Sequence, residues 1–211
     1  MASNDMADAQ PDIAEDSAEV VVQKKSFKSS IVIIPPKEFW EPIQMIRKKH
    51  DKAYERWMPH VNLLYPFIAD ANDGQFFSEA AQDLKSALKD IQPFKVCFTK
   101  DSFKVFKRKK FCTLWLKPIV VAHPQVLGLQ ESMVKTFPQC NDVNKIGDHG
   151  FTPHLSLGQL KPKGYRECVD EFSKDWTDME FTVDHVTLIS RADFDDPFHV
   201  RHEVPLGSLD L

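Results

Sequence analysis

Residues 59–64 read PHVNLL and residues 153–158 read PHLSLG, in a chain that holds eight histidines. Each of these two histidines follows a proline, precedes an aliphatic residue, and stands two positions before a small polar side chain. In an extended strand, side chains two apart share a face. The pattern therefore sets His60 beside Asn62 and His154 beside Ser156, and turns Val61, Leu63, Leu155 and Leu157 toward an apolar layer. One face packs, and the other is free for chemistry.

Outward from these stretches the chain alternates helical and extended signals. Ser30 to Ile34 is a β-branched run halted by Pro35 and Pro36, as a strand would be. Phe39, Ile43 and Ile46 then fall on one helical face within residues 37–50, with Pro42 marking the start of the regular helix. A strand is expected over residues 58–67. Ala80, Leu84, Leu88 and Ile91 predict a second helix over residues 77–91. Residues 94–106 and 111–116, rich in aromatic and β-branched side chains, predict two strands joined by the basic tip Lys107, Arg108, Lys109 and Lys110. A third helix is expected over residues 123–137, a strand over 151–160, and a fourth helix over 164–176 that buries Tyr165, Val169, Phe172 and Trp176. A strand over residues 181–190 and a hairpin partner over 198–206 close the chain.

The order helix, Pro-His strand, helix, strand pair occurs twice, with the two histidines 94 positions apart. That interval exceeds solenoid periods of roughly 20–50 residues, so two lobes of similar build are expected. Strands and helices mix without strict alternation, which predicts the α+β class. Residues 26–211 are expected to form one folded unit. Residues 1–25 are expected to be a disordered acidic tail, because they are polar and lack a sustained apolar period.

Composition narrows the class further. The net charge of −4 comes from the N-terminus: six acidic residues, Asp5, Asp8, Asp12, Glu15, Asp16 and Glu19, precede the first basic one, Lys24, and the rest is slightly basic. Cys97, Cys112, Cys140 and Cys168 are too scattered for a zinc knuckle and suit reduced thiols in the cytoplasm or nucleus. No apolar run approaches the roughly 20 residues of a membrane helix, and no membrane association is expected. There is no P-loop and no dinucleotide fingerprint, hence no sign of ATP- or NAD-driven chemistry. His199 and His202, three apart on a strand, point to opposite faces and do not make a metal pair.

Two imidazoles converging on a phosphodiester suit in-line displacement. One, neutral, takes a proton from the nucleophile, and the other, protonated, gives one to the leaving oxygen. Asn62 and Ser156 can donate to the non-bridging oxygens. Tyr54, Trp57, Tyr65, Phe67 and Phe151, near the motifs in sequence, and Phe103 and Phe106, beside the basic tip, are candidates to stack on a nucleobase, and Arg191 is a candidate phosphate contact. For each of these the competing reading is ordinary packing or an ordinary surface charge. The basic tip can touch RNA or can be a solvated turn.

The repeated motif resembles that of the two-histidine (2H) phosphoesterases, the superfamily of 2′-5′ RNA ligase-like proteins and cyclic nucleotide phosphodiesterases, whose signature is a pair of H-x-T/S motifs. His154-Leu155-Ser156 matches that signature, and His60-Val61-Asn62 departs from it at the third position. The resemblance spans most of residues 26–206. It implies a bilobal fold with pseudo-two-fold symmetry, a central cleft, and catalysis by His60 and His154 without metal or cofactor. A monomer acting on RNA or nucleotide substrates is the expectation. Two alternatives stay open: an RNA-end or nucleotide-binding module without turnover, which Asn62 motivates, and a 2′-5′ RNA ligase.

Overall fold

The structure is a computed structural model that describes residues 23–71, 73–119, 123–146 and 150–207. Of the expected acidic tail, residues 1–22 lie outside the described residues, and Lys25 is already in a strand.

Strands β1 (Lys25–Ser26) and β2 (Ser29–Ile33) open the chain, followed by a 3-10 turn over Lys37–Phe39 and helix α1 (Trp40–His50). Next come β3 (Val61–Leu64), β4 (Phe67–Ile68), α2 (Gln75–Leu88) and β5 (Phe94–Phe98). A hairpin of β6 (Phe103–Lys107) and β7 (Cys112–Leu116) leads to α3 (His123–Thr136) and β8 (Leu155–Leu160). Helix α4 (Tyr165–Lys174), β9 (Met179–Val183), β10 (His185–Ser190) and β11 (His199–Pro205) complete the fold.

Seven strands form one antiparallel sheet in the order β11-β10-β2-β3-β8-β7-β6. This is the expected α+β architecture. The two Pro-His strands, β3 and β8, are neighbours at its centre and join the two halves through the bridge Val61–Leu155. Ile31, Ile33, Val61, Leu63, Leu155 and Leu157 belong to the core with Ile43 of α1, Phe77 and Leu84 of α2, and Met133 of α3. The four side chains of the motifs assigned to the apolar layer are thus in it.

Two expected strands are each split in two. Residues 94–106 break at Thr99, whose hydroxyl accepts from the Asp101 amide while Ser102 Oγ accepts from the Thr99 amide, a reciprocal cap that starts a 3-10 turn. Residues 181–190 break at Asp184. The freed pieces, β5 and β9, pair with each other from Phe94–Val183 to Phe98–Met179 in a separate two-stranded sheet. Helix α4 is shallower than expected: Tyr165, Val169, Phe172 and Trp176 pack on the core only half-buried. All four cysteines are free, Cys112 and Cys140 being buried. Among the described residues no helix is long and apolar enough to cross a membrane.

Candidate active site

His60 and His154 each stand one residue before their strand begins, at equivalent places on either side of the Val61–Leu155 bridge. In an antiparallel pair the residues flanking a bridge face each other crosswise. His60 is therefore opposite Ser156, and Asn62 is opposite His154, all four on the sheet face away from the helical core. The histidines occupy one diagonal of this square, where Cβ atoms lie somewhat less than about 7–8 Å apart.

The symmetry extends to the hydrogen bonds. Nδ1 of His60 lies 2.7 Å from the Met58 carbonyl, and Nδ1 of His154 lies 2.7 Å from the Thr152 carbonyl. A carbonyl only accepts, so each ring carries its proton on Nδ1 and keeps Nε2 as the reactive nitrogen when neutral. At Nε2 the symmetry ends. The Asn62 amide nitrogen lies 3.0 Å from His60 Nε2 and donates to it, whereas Nε2 of His154 and the Ser156 hydroxyl have no hydrogen-bond partner among the described residues.

The rings are held differently as well. Trp57 stacks on His60 with centroids 4.5 Å apart and planes 20° from parallel. His154 instead meets the edges of Phe106 and Trp115, which stack on each other at 4.4 Å. Behind Trp57, the Arg47 guanidinium is buried, pairs with Asp51 at 2.8 Å, and donates to the Trp57 carbonyl at 2.8 Å. That ion pair fixes the segment from Trp57 to His60 against α1.

Burial lowers the His60 pKa from 6.5 to about 4, with the Arg47 and His154 charges adding to the effect and the Met58 carbonyl and Asp51 opposing it. Burial lowers that of His154 too, against the pull of the Thr152 carbonyl. Both rings are therefore neutral near pH 7 in the unliganded protein. The unfolded chain takes up a proton at His60 below pH 6.5 that the folded chain refuses down to about pH 4. Stability is expected to be full above pH 6.5 and to fall as pH drops through that window. Thermal melts of the protein and of His60→Gln should diverge there, the variant showing the flatter profile.

A cleft of about 430 Å³ opens beside His154, lined by Asn62, Phe106, Arg108, Thr113, Val143, Ile146, Phe151 and Thr152. Of the residues singled out from sequence, it brings together His154, Asn62 and Phe151, whereas Ser156 and His60, which is hydrogen-bonded to Asn62, are not in its lining. Arg108 of the basic tip faces this cleft, while the Lys107 ammonium lies 5.8 Å over the Tyr165 ring. Among the described residues no cluster of three or more His, Cys, Asp or Glu side chains is placed to share a metal ion.

Two expectations are corrected. Phe67 is fully buried and packs against Phe77 and Phe137, so it cannot meet a nucleobase. Arg191 cannot be a direct phosphate contact: it is buried, its two terminal nitrogens donate to the Phe194 and Phe27 carbonyls, and its guanidinium lies 4.6 Å over Phe198. Phe198 in turn lies against Trp57, which puts two rings between Arg191 and His60. Tyr65 donates to the Phe27 carbonyl and meets Trp57 edge-on, and like His60, Ser156 and Trp57 it does not line the cleft beside His154. The rings that contact the two imidazoles are Trp57 and Phe106, both candidates from the sequence, and Trp115. The signal of Trp115 in the sequence is indirect: β7 has to be set beside β8 before it comes near His154.

A family model described as the 2′-5′ RNA ligase superfamily matches residues 35–195, about three quarters of the chain. A protein of Staphylococcus epidermidis, named provisionally as a phosphoesterase, is 22% identical over 180 residues, covering 84% of this chain and 98% of that one. A Staphylococcus aureus protein with the same provisional name is 25% identical over 174 residues, covering 81% and 94%. Among solved structures, TT0787 of Thermus thermophilus superposes with a TM-score of 0.54 at 14% identity, covering 84% of this chain and 97% of its own. E. coli LigT complexed with 3′-AMP superposes with a TM-score of 0.51 at 13% identity, covering 88% and 100%.

Proposed function

The chain belongs to the 2′-5′ RNA ligase superfamily, and we propose that it is a metal-independent phosphodiesterase acting on RNA ends or short nucleotides with 2′-linked or 2′,3′-cyclic phosphates. The observation that carries this reading is the diagonal placement of His60 and His154, each with Nδ1 anchored to a carbonyl, which leaves Nε2 as the reactive nitrogen. Its supporting elements are the cleft beside His154, Arg108 at its edge, and the 3′-AMP complex of LigT, which shares the fold.

In this reading the phosphodiester lies between the two Nε2 atoms. Its negative charge raises the pKa of both rings toward neutrality and allows one to hold a proton while the other stays neutral. The neutral imidazole takes a proton from the attacking water. The imidazolium gives one to the leaving oxygen as its bond to phosphorus breaks. Ser156 donates to the non-bridging oxygens, where charge grows in the transition state, and the Asn62 amide does the same once the phosphodiester has displaced it from His60 Nε2. The protein acts as a monomer in the cytoplasm or nucleus.

The test is turnover by purified protein, with chelator present, of a panel of 2′,3′-cyclic and 2′-5′-linked nucleotides, with analysis of the product isomers. Hydrolysis supports the reading, and activity that requires added metal removes it. A binding module without turnover is favoured by one observation, the Asn62 amide that occupies His60 Nε2. Tight nucleotide binding with no product from any member of the panel would select it. Joining of 2′-5′ ends in the same assay would select the ligase.

Within the phosphodiesterase reading, Arg108→Ser is expected to raise KM about tenfold even for dinucleotides and to leave kcat within a factor of two, since a charge at the edge of the cleft binds ground and transition states alike. Lys109 and Lys110, farther out on the tip, should matter only for longer oligonucleotides. Their double change to Ser and a comparison of KM across chain lengths checks both.

A further inference from the structure

Ser30 is fully buried on β2, its hydroxyl 2.7 Å from the Asn62 side-chain oxygen and 3.0 Å from the Leu64 carbonyl. It has one proton for these two acceptors and the more distant Ile31 carbonyl at 3.4 Å. With His60 neutral, every hydrogen bond is determined. His60 Nδ1–H donates to Met58, Nε2 must accept, Asn62 therefore turns its NH₂ to His60, and its oxygen takes the Ser30 proton. With His60 protonated, Nε2–H needs an acceptor. The same atoms supply a second complete set: the Asn62 amide turns over, its oxygen accepts from Nε2–H, its NH₂ donates to Ser30 Oγ, and the Ser30 proton goes to the Leu64 carbonyl. Both sets satisfy each buried group at the distances observed.

From this geometry we infer that Ser30 is a positioning residue: in the unliganded protein it forms with Asn62 a reversible relay that keeps His60 hydrogen-bonded in both of its proton states, and it holds the Asn62 side chain once a phosphodiester has taken its place at Nε2. The inference rests on the catalytic reading given to His60 above and explains the departure from the family motif. A serine or threonine hydroxyl at position 62 can rotate to donate or accept by itself. An amide cannot, and needs a partner whose own hydroxyl reverses with it. The charged groups that face His60 are Arg47 of α1 and Asp51 just past its end, and the titratable neighbour on the adjacent strand's edge is His154. None of them contacts Ser30 or Asn62 through a hydrogen bond, so the relay can be changed without altering them.

The experiment has two arms. In the first, the through-hydrogen-bond ¹⁵N–¹⁵N coupling between Asn62 Nδ2 and His60 Nε2 is followed by NMR. It should be present with the ring neutral, vanish as the ring protonates while Nδ1–H persists, and be lost or strongly reduced at all pH values in Ser30→Ala. In the second, kcat and KM are measured for wild type, Ser30→Ala, Asn62→Ser and the double variant. Ser30→Ala is expected to lower kcat about tenfold with KM little changed, and to have no effect on kcat once position 62 is Ser. Any loss of thermal stability from Ser30→Ala should persist in both backgrounds, which separates a packing role from the relay. An undiminished coupling in Ser30→Ala, or an equal fall of kcat in both backgrounds, would overturn the inference. If the protein turns over no phosphodiester, the proposed function fails and the NMR arm alone decides the relay.

Discussion

His60→Ala and His154→Ala are each expected to lower kcat by about 10³-fold, within the range of 10²–10⁴ seen when a general acid or base is lost. Neither ring is charged near pH 7 in the unliganded protein, because burial lowers both pKa values. Removing one therefore takes no charge from the empty cleft, and nucleotide affinity should change by less than about tenfold. The double variant should be little worse than either single one, since acid and base act on the same transition state and neither suffices alone. In wild type the pH profile of kcat should be bell-shaped, with one limb for each ring, and each single variant should lose a limb from its residual rate. Folding has to be checked in parallel by thermal melts, because Trp57 loses its stacked neighbour in His60→Ala. Full turnover in either folded variant would end the two-histidine mechanism.

The face on which this chemistry depends is legible in PHVNLL and PHLSLG, because a period of two leaves no freedom once Val61, Leu63, Leu155 and Leu157 are required to be buried. What the two stretches do not encode is that β3 and β8 are each other's neighbours. That pairing depends on contacts 94 positions apart, and it alone places His60 opposite Ser156. The same gap explains the errors at the site. Phe67 and Tyr65 are near His60 in sequence, yet β4 turns Phe67 into the core. Phe106 and Trp115 are far from His154 in sequence, and the β6–β7 hairpin brings them to its ring. Arg191 stands at a strand end, where its charge is legible and its burial behind Phe198 is not. The breaks at Thr99 and Asp184 are hidden because the runs around them are equally aromatic and β-branched on both sides. Only the partner strand distinguishes β5 from β6 and β9 from β10.

The glycine that ends PHLSLG carries the second large effect. Gly158 has φ +140°, and a Cβ built on it would come within 2.5 Å of the His50 carbonyl carbon and 2.6 Å of its oxygen. These atoms belong to the last residue of α1, so the absence of a side chain is what allows that helix to close on β8. Gly158→Ala must strain its own backbone or push the helix end away. The two costs together amount to roughly 3 kcal/mol, or a fall in Tm of roughly 6–12 °C for a chain of this length. The damage should reach the site, because the final turns of α1 carry Arg47, and its hydrogen bond to the Trp57 carbonyl steadies the residue stacked on His60. Gly128 is the control. It lies inside α3 with nothing within 4 Å of its would-be Cβ, and Gly128→Ala should raise stability by up to about 1 kcal/mol through helix propensity. Thermal melts of the two variants side by side distinguish a glycine required by close approach from one that is not, and equal Tm values would remove the account given for Gly158.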